Sequence, residues 1–135
     1  TKSMAFGVRM GIDRYNLDIA ARVEEGRTAA NERMAAVFDQ TDFIICASNP
    51  DIAFPAHIES NTRVAGEKAP AGNNGALTIP ANISGNPAIS VPAGLVDGMP
   101  VGVQIIGVQH SDRAILDLAY LWEQHNPWPL TAPTS

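Results

Sequence analysis

Residues 82–107 run Asn-Ile-Ser-Gly-Asn-Pro-Ala-Ile-Ser-Val-Pro-Ala-Gly-Leu-Val-Asp-Gly-Met-Pro-Val-Gly-Val-Gln-Ile-Ile-Gly. Two short apolar runs, 88–93 and 101–106, flank the pair Asp97-Gly98. That pair suits a two-residue type I′ turn, in which both central residues take positive φ, so the spacing predicts an antiparallel hairpin. Pro92 cannot donate a ladder hydrogen bond, and its strand must therefore lie at an edge, end there or bulge there. Gly85 and Gly94 suit the ends of elements, while Gly102 and Gly107 allow close backbone contact in or beside strands. Gly98, Gly102 and Gly107 are four and five residues apart, which is not the Gly-x-Gly-x-x-Gly order of a phosphate-binding loop. Gln104 is the polar residue of an otherwise apolar strand, and a side chain satisfied by backbone groups or lying at the sheet surface accounts for it.

Working outward, residues 13–40 read as a helix, because Ile19, Ala20, Val23, Ala30, Met34, Val37 and Phe38 recur at three- and four-residue steps. Arg22, Glu25, Arg27, Glu32 and Arg33 fill the other face. Gly26 costs about 1 kcal/mol against Ala in a helix interior and is expected to bend or break the element. Residues 42–47, Asp-Phe-Ile-Ile-Cys-Ala, read as a buried strand bounded by Ser48-Asn49-Pro50. The stretch 48–75, dense in Pro, Gly, Asn and Ala, reads as a long surface loop. Residues 76–84 read as a short helix with Pro80 in its first turn and Asn73-Asn74-Gly75 as cap residues. Ser111-Asp112 cap a helix to about Gln124, with Ile115, Leu118, Ala119 and Trp122 on one face and Pro127 as its stop. The tail from Pro127 onward is too rich in proline to continue it.

With 135 residues, 45% hydrophobic and 17% charged, the chain is either one globular domain, burying roughly two thirds of its unfolded surface, or a slice of a larger one. A net charge of -5 and the lack of a Lys/Arg stripe with interleaved aromatics argue against nucleic acid. One cysteine excludes an internal disulfide framework and a Cys-based zinc site. No apolar run approaches the roughly 18 residues that span a bilayer, and no signal peptide opens the chain, so no membrane partner and a cytoplasmic location are expected. A start at Thr1 rather than Met fits a processed or trimmed fragment.

Nucleophile and metal candidates fail one by one. Cys46 falls in the apolar run of a strand, where free cysteine behaves as a small hydrophobe, and no histidine is placed by sequence to activate it. Ser84 and Ser90 are not in a Gly-x-Ser-x-Gly elbow. Thr1, as an N-terminal nucleophile, lacks a strand pattern after it. His57, His110 and His125 are widely separated with no i,i+4 pair, so no metal site is expected. The only lysines are Lys2 and Lys68, neither near a serine cluster, and both are expected in water. No catalytic residue and no cofactor are therefore expected in this chain.

The segment 82–107 resembles the C-terminal part of the amidase signature family, serine hydrolases that cleave carboxamides with a Ser, a second Ser preceded by a cis peptide bond, and a Lys. The resemblance extends from about residue 14 to residue 129. Phe38-Asp39-Gln40-Thr41-Asp42 and the apolar run after it look like the family's helix leading into an aspartate-initiated strand and a proline-containing loop. Here Ala47-Ser48-Asn49-Pro50 stands where Pro-Thr is commoner. The resemblance implies an α/β fold, a partial mixed sheet with an antiparallel hairpin flanked by helices, with residues 1–135 as one piece of that domain.

The family's nucleophile segment, of the form Gly-Gly-Ser-Ser-Gly, supplies backbone N–H donors to the developing oxyanion. This chain contains no Ser-Ser and no Gly-Gly. The resemblance thus implies a C-terminal fragment, inactive alone, that supplies sheet core and one wall of the substrate pocket. Thr78, Ile79 and Asn82 are the wall residues it points to, against the acyl side of the substrate. Implied partners are the missing N-terminal part of the same enzyme, a small-molecule amide substrate in the parent, and further copies of the chain through exposed sheet. Differences in which amide is cleaved are expected in the loop 48–75. The alternative is a self-standing α/β interaction or scaffold domain that reuses the pattern without chemistry.

Overall fold

The structure, a computed structural model, describes residues 2–70 and 72–129. The readings of Thr1 and of the tail beyond Pro129 lie outside the described residues. Strands β4 (Ala88–Val96) and β5 (Met99–Gly107) form the expected hairpin, with Val96 opposite Met99 across the two-residue turn. Asp97 and Gly98 both have positive φ, 50° and 77°, which is the type I′ geometry whose twist matches the strands it joins. β1 (Phe43–Ala47) pairs with the other side of β5, giving the order β1-β5-β4. The α/β class is as expected. Both pairings of this sheet are antiparallel, where the resemblance implied a partial mixed sheet.

Pro92 meets two of its three options. It lies on an outer strand opposite Gly102, and beyond it two residues of β4 face one of β5 before Leu95 pairs with Pro100. This is a β-bulge, which locally releases the ladder a proline cannot complete. Trp122 Nε1 donates to the Pro92 carbonyl at 2.9 Å, tying the bulge to helix α4 (Asp112–His125).

α4 lies over β4 and β5. Val91, Ile105, Ile115 and Ala119 form the buried contact, with Phe43, Ile89, Val103, Leu118 and Trp122 packed against it. This is the apolar face expected of that helix. Strand alternation turns Gln104 and Ile106 to the opposite face. There the short helix α3 (Ile79–Ser84) sits, and α2 (Leu17–Phe38) packs against α3.

Several expectations are corrected. The helix read over 13–40 is two helices, α1 (Lys2–Arg14) and α2, parted where Asn16 Oδ1 accepts from Ile19 N at 2.9 Å as an N-cap. Residues 2–12 fall outside the helix read from sequence, although Met4, Val8 and Ile12 recur there at four-residue steps along one face. Gly26 does not break α2, because its cost of about 1 kcal/mol is outweighed across 22 residues rich in good helix formers. Pro80 does lie in the first turn of α3, but Asn73–Gly75 form a separate tight helical turn and Thr78 is the cap residue, without a capping side-chain bond. Ser111 precedes α4, yet its hydroxyl donates backward to the Val108 carbonyl at 2.6 Å. Within the loop 48–75 a small hairpin, β2 (Arg63–Val64) and β3 (Glu67–Lys68), closes on Ala65-Gly66. β1 is not the buried strand expected, since α4 covers its neighbours, and Ile45 is 62% exposed at the outer edge.

The surface departs most from that of a self-contained domain. The chain exposes 10417 Å². A compact monomer of 14.3 kDa exposes about 6,800 Å² and its unfolded chain about 20,700 Å². About half the unfolded surface is thus buried, not the two thirds expected of one domain. Among the described residues only six apolar side chains are buried, and of the larger ones only Ile105 fully so.

Two glycine substitutions should shift stability in opposite directions. A Cβ on Gly107 would lie 2.2 Å from Ser111 Oγ and 2.8 Å from Ile115 Cγ2, so Gly107→Ala should cost about 1–3 kcal/mol by overpacking. Nothing lies within 4 Å of a Cβ on Gly26, and Gly26→Ala should add about 1 kcal/mol. Urea unfolding midpoints of the two variants check both signs.

Candidate functional site

A cleft of about 590 Å³ lies between the turn end of the hairpin and the loop 48–75. Ala93, Val101 and Val103 line it from the sheet, and Ile52 and Phe54 from the loop. Asn49, Asp51, Asn61 and Asn73 bring polar atoms to it. Most of those atoms are already engaged. Asn73, which is buried, donates from Nδ2 to the Asn61 carbonyl at 2.7 Å and the Pro70 carbonyl at 3.0 Å. Asn61 Nδ2 donates to the Ile52 carbonyl at 3.0 Å, and Asp51 Oδ1 accepts from Ile52 N at 2.8 Å. These side chains hold the loop in shape, as asparagine and aspartate do in irregular backbone.

Nucleophile candidates are spent in the same way. Ser48 and Ser90 hydroxyls pair with each other at 2.5 Å on either side of Gly102, where an added Cβ would strike both. Ser84 Oγ donates to the Pro80 carbonyl at 2.9 Å within its own helix. Cys46 Sγ accepts from Gln104 Nε2 at 3.3 Å. Nowhere among the described residues does a serine or cysteine side chain bond to a histidine, lysine or carboxylate that could take its proton, which activated nucleophiles require. Lys68 is exposed on β3. Among the described residues no three or more His, Cys, Asp or Glu side chains gather as metal ligands would, and no helix is long and apolar enough to cross a membrane.

Ile79 and Asn82 lie on α3 with Thr78 as its cap residue, away from the lining of the 590 Å³ cleft. Their helix is amphipathic in the simplest sense. Ala81 and Ser84 are buried, while Ile79 is 48% exposed and Asn82 faces solvent. Thr78 Oγ1 donates to the Gly75 carbonyl at 3.3 Å. Among the described residues the Asn82 carboxamide has no hydrogen-bond partner, leaving a donor and an acceptor on a fixed helix. Gln104 behaves as the sequence suggested: it is 4% exposed and donates to the Leu77 carbonyl at 3.0 Å. Asn61, Asn86 and Gln109 carry no mark in the sequence, and Asn73 stands out there only as a cap residue. Their signal is the habit of side-chain amides in turns of bonding to nearby backbone, which points to no ligand.

Comparison with known proteins agrees with this geometry. The family model described as Amidase matches residues 8–116. A glutamyl-tRNA(Gln) amidotransferase subunit from Latilactobacillus sakei is 37% identical over 108 residues, covering 80% of this chain and 21% of the relative. The protein of the same name from Thermosynechococcus vestitus is 35% identical over 117 residues, covering 83% and 22%. The chain therefore spans about a fifth of the length of these relatives. Among solved structures, a bacterial aryl acylamidase of the amidase signature family superposes with a TM-score of 0.77 at 27% identity, over 87% of this chain and 25% of that one. A structure described as an amidase reaches a TM-score of 0.81 over 92% of this chain and 29% of that one, at 23% identity, and speaks for the fold alone.

The buried amide that organises the loop gives a direct test of it. Asn73→Ala leaves two carbonyls without their donor and should cost about 1–3 kcal/mol, loosening the cleft wall. Limited proteolysis should then cut within residues 50–70 faster than in the parent chain, with the hairpin still protected.

Proposed function

The chain belongs to the amidase family, and on that premise we propose that it is the C-terminal part of a carboxamide hydrolase, supplying sheet core and one wall of the substrate pocket. The observation that carries the reading is the family match over 8–116 in a chain one fifth as long as its relatives. The surface supports it. An excess of about 3,600 Å² over a compact monomer is what a piece exposes when its neighbour is missing. The open edge of β1, with Ile45, and the apolar side chains of Phe6, Val8 and Ile12 on α1 are where that neighbour would gain most. In isolation the same surfaces favour association with further copies of the chain.

In this reading the missing N-terminal part contributes the serine nucleophile, the second serine and the lysine base. The present chain contributes α3. Ile79 offers apolar contact, and the Asn82 carboxamide can donate to a carbonyl oxygen and accept from an N–H, the two polar groups of an amide. The substrate is a small-molecule amide, and the reaction takes place in the cytoplasm. Relatives differ in the amide they use, and the loop 48–75 with its cleft is where such differences would be built.

Three kinds of measurement test the proposal. Purified chain should hydrolyse no amide and take up no serine-directed fluorophosphonate, and stoichiometric labelling of any serine would sink the reading. In dilute solution its mass should exceed that of a monomer. A stable monomer with its strand edge covered would instead favour the self-standing scaffold. In the enzyme completed by its N-terminal part, Asn82→Ala should raise KM about ten-fold, the worth of one hydrogen bond to substrate, with kcat little changed.

A further inference from the structure

We propose that Gln104 and Gln109 are positioning residues that clamp α3 at both ends and so fix the wall it presents to substrate. α3 has six residues, too few to hold itself, because most of its terminal N–H and C=O groups have no partner within the helix. Its position must therefore come from outside. Gln104 Nε2, buried beneath the sheet face, donates to the carbonyl of Leu77, immediately before the cap residue Thr78. Gln109 Nε2, just beyond the end of β5, donates at 2.7 Å to the carbonyl of Ser84, the last residue of α3.

The far end is closed twice more. Asn86 Nδ2 donates to the Gly107 carbonyl at 2.8 Å, and Gly107 N to the Pro87 carbonyl at 2.9 Å. All four bonds end on backbone carbonyls, none on an outward side chain of α3. Residues such as Ile79 and Asn82 can therefore differ without moving the helix that carries them. A buried glutamine between Val103 and Ile105 has this as its reason, since an apolar residue there would pack as well but leave the Leu77 carbonyl without a donor.

The functional half of the inference rests on α3 being a pocket wall, while the clamp itself is tested without it. Amide hydrogen exchange is followed by mass spectrometry on the full chain and on Gln104→Leu, Gln109→Glu and Gln109→Lys. Losing one donor to a partly buried carbonyl should speed exchange across 79–86 about ten-fold in Gln104→Leu and Gln109→Glu, with the amides of 89–91 and 103–106 within about two-fold. Gln109→Lys keeps a donor and should restore most of the protection. Gln109 is exposed, so its variants do not threaten the core. Equal loss in α3 and the hairpin, unchanged exchange in 79–86, or an α3 already unprotected in the wild-type chain beside a protected hairpin would each overturn the clamp. In the completed enzyme Gln104→Leu and Gln109→Glu should raise KM more than they lower kcat, with Gln109→Lys close to the parent. Lost protection with unchanged KM upholds the clamp and removes α3 from the pocket.

Discussion

Central strand β5 is the constraint on which the rest of the chain depends. Its backbone bonds to β1 on one side and β4 on the other, and its side chains alternate between two different chemistries. Val103 and Ile105 meet α4 in the dry core, while Gln104 reaches the α3 segment through a hydrogen bond. A one-residue slip in register would exchange these faces, placing the glutamine amide in the apolar core and two branched aliphatic residues against a carbonyl that needs a donor. The type I′ turn at one end and the tight packing of Gly107 on Ser111 and Ile115 at the other make such a slip costly.

The sequence was most legible where local geometry and burial agree. Asp97-Gly98 could be placed in its turn because few residue pairs accept two positive φ angles, and Ile115, Leu118, Ala119 and Trp122 marked the buried face of α4 by spacing alone. It was least legible where the deciding partner lies outside the chain. β1 carries the composition of a buried strand but sits at an open edge, so Phe43-Ile-Ile-Cys-Ala47 describes an environment these residues do not themselves provide. α1 is a similar case, since Met4, Val8 and Ile12 recur at four-residue steps but are all exposed in this chain. Gly26 was misjudged differently, by giving one residue's propensity the weight of a whole helix.

The candidate site was legible only through resemblance. Thr78, Ile79 and Asn82 have no pattern of their own, and the structure adds what spacing could not: Thr78 caps one short helix on which Ile79 and Asn82 are exposed. The asparagines around the cleft show the opposite case. Their composition suggests a polar site, yet the hydrogen bonds of Asn61 and Asn73 are directed into the loop itself, and what they create is shape.

The hairpin also has a consequence for the order in which the sheet assembles. Two residues separate Val96 from Met99, whereas 55 lie between Ala47 and its partner Val103. Closing the longer loop costs about 3 kcal/mol more in chain entropy, while a hairpin with a favourable turn forms within about 1–10 μs. β4 and β5 thus zip first and offer an edge on which β1 condenses later, carrying the loop 48–75 into place with it. The cleft, whose two sides come from the early hairpin and the late loop, is among the last features of the chain to acquire a shape.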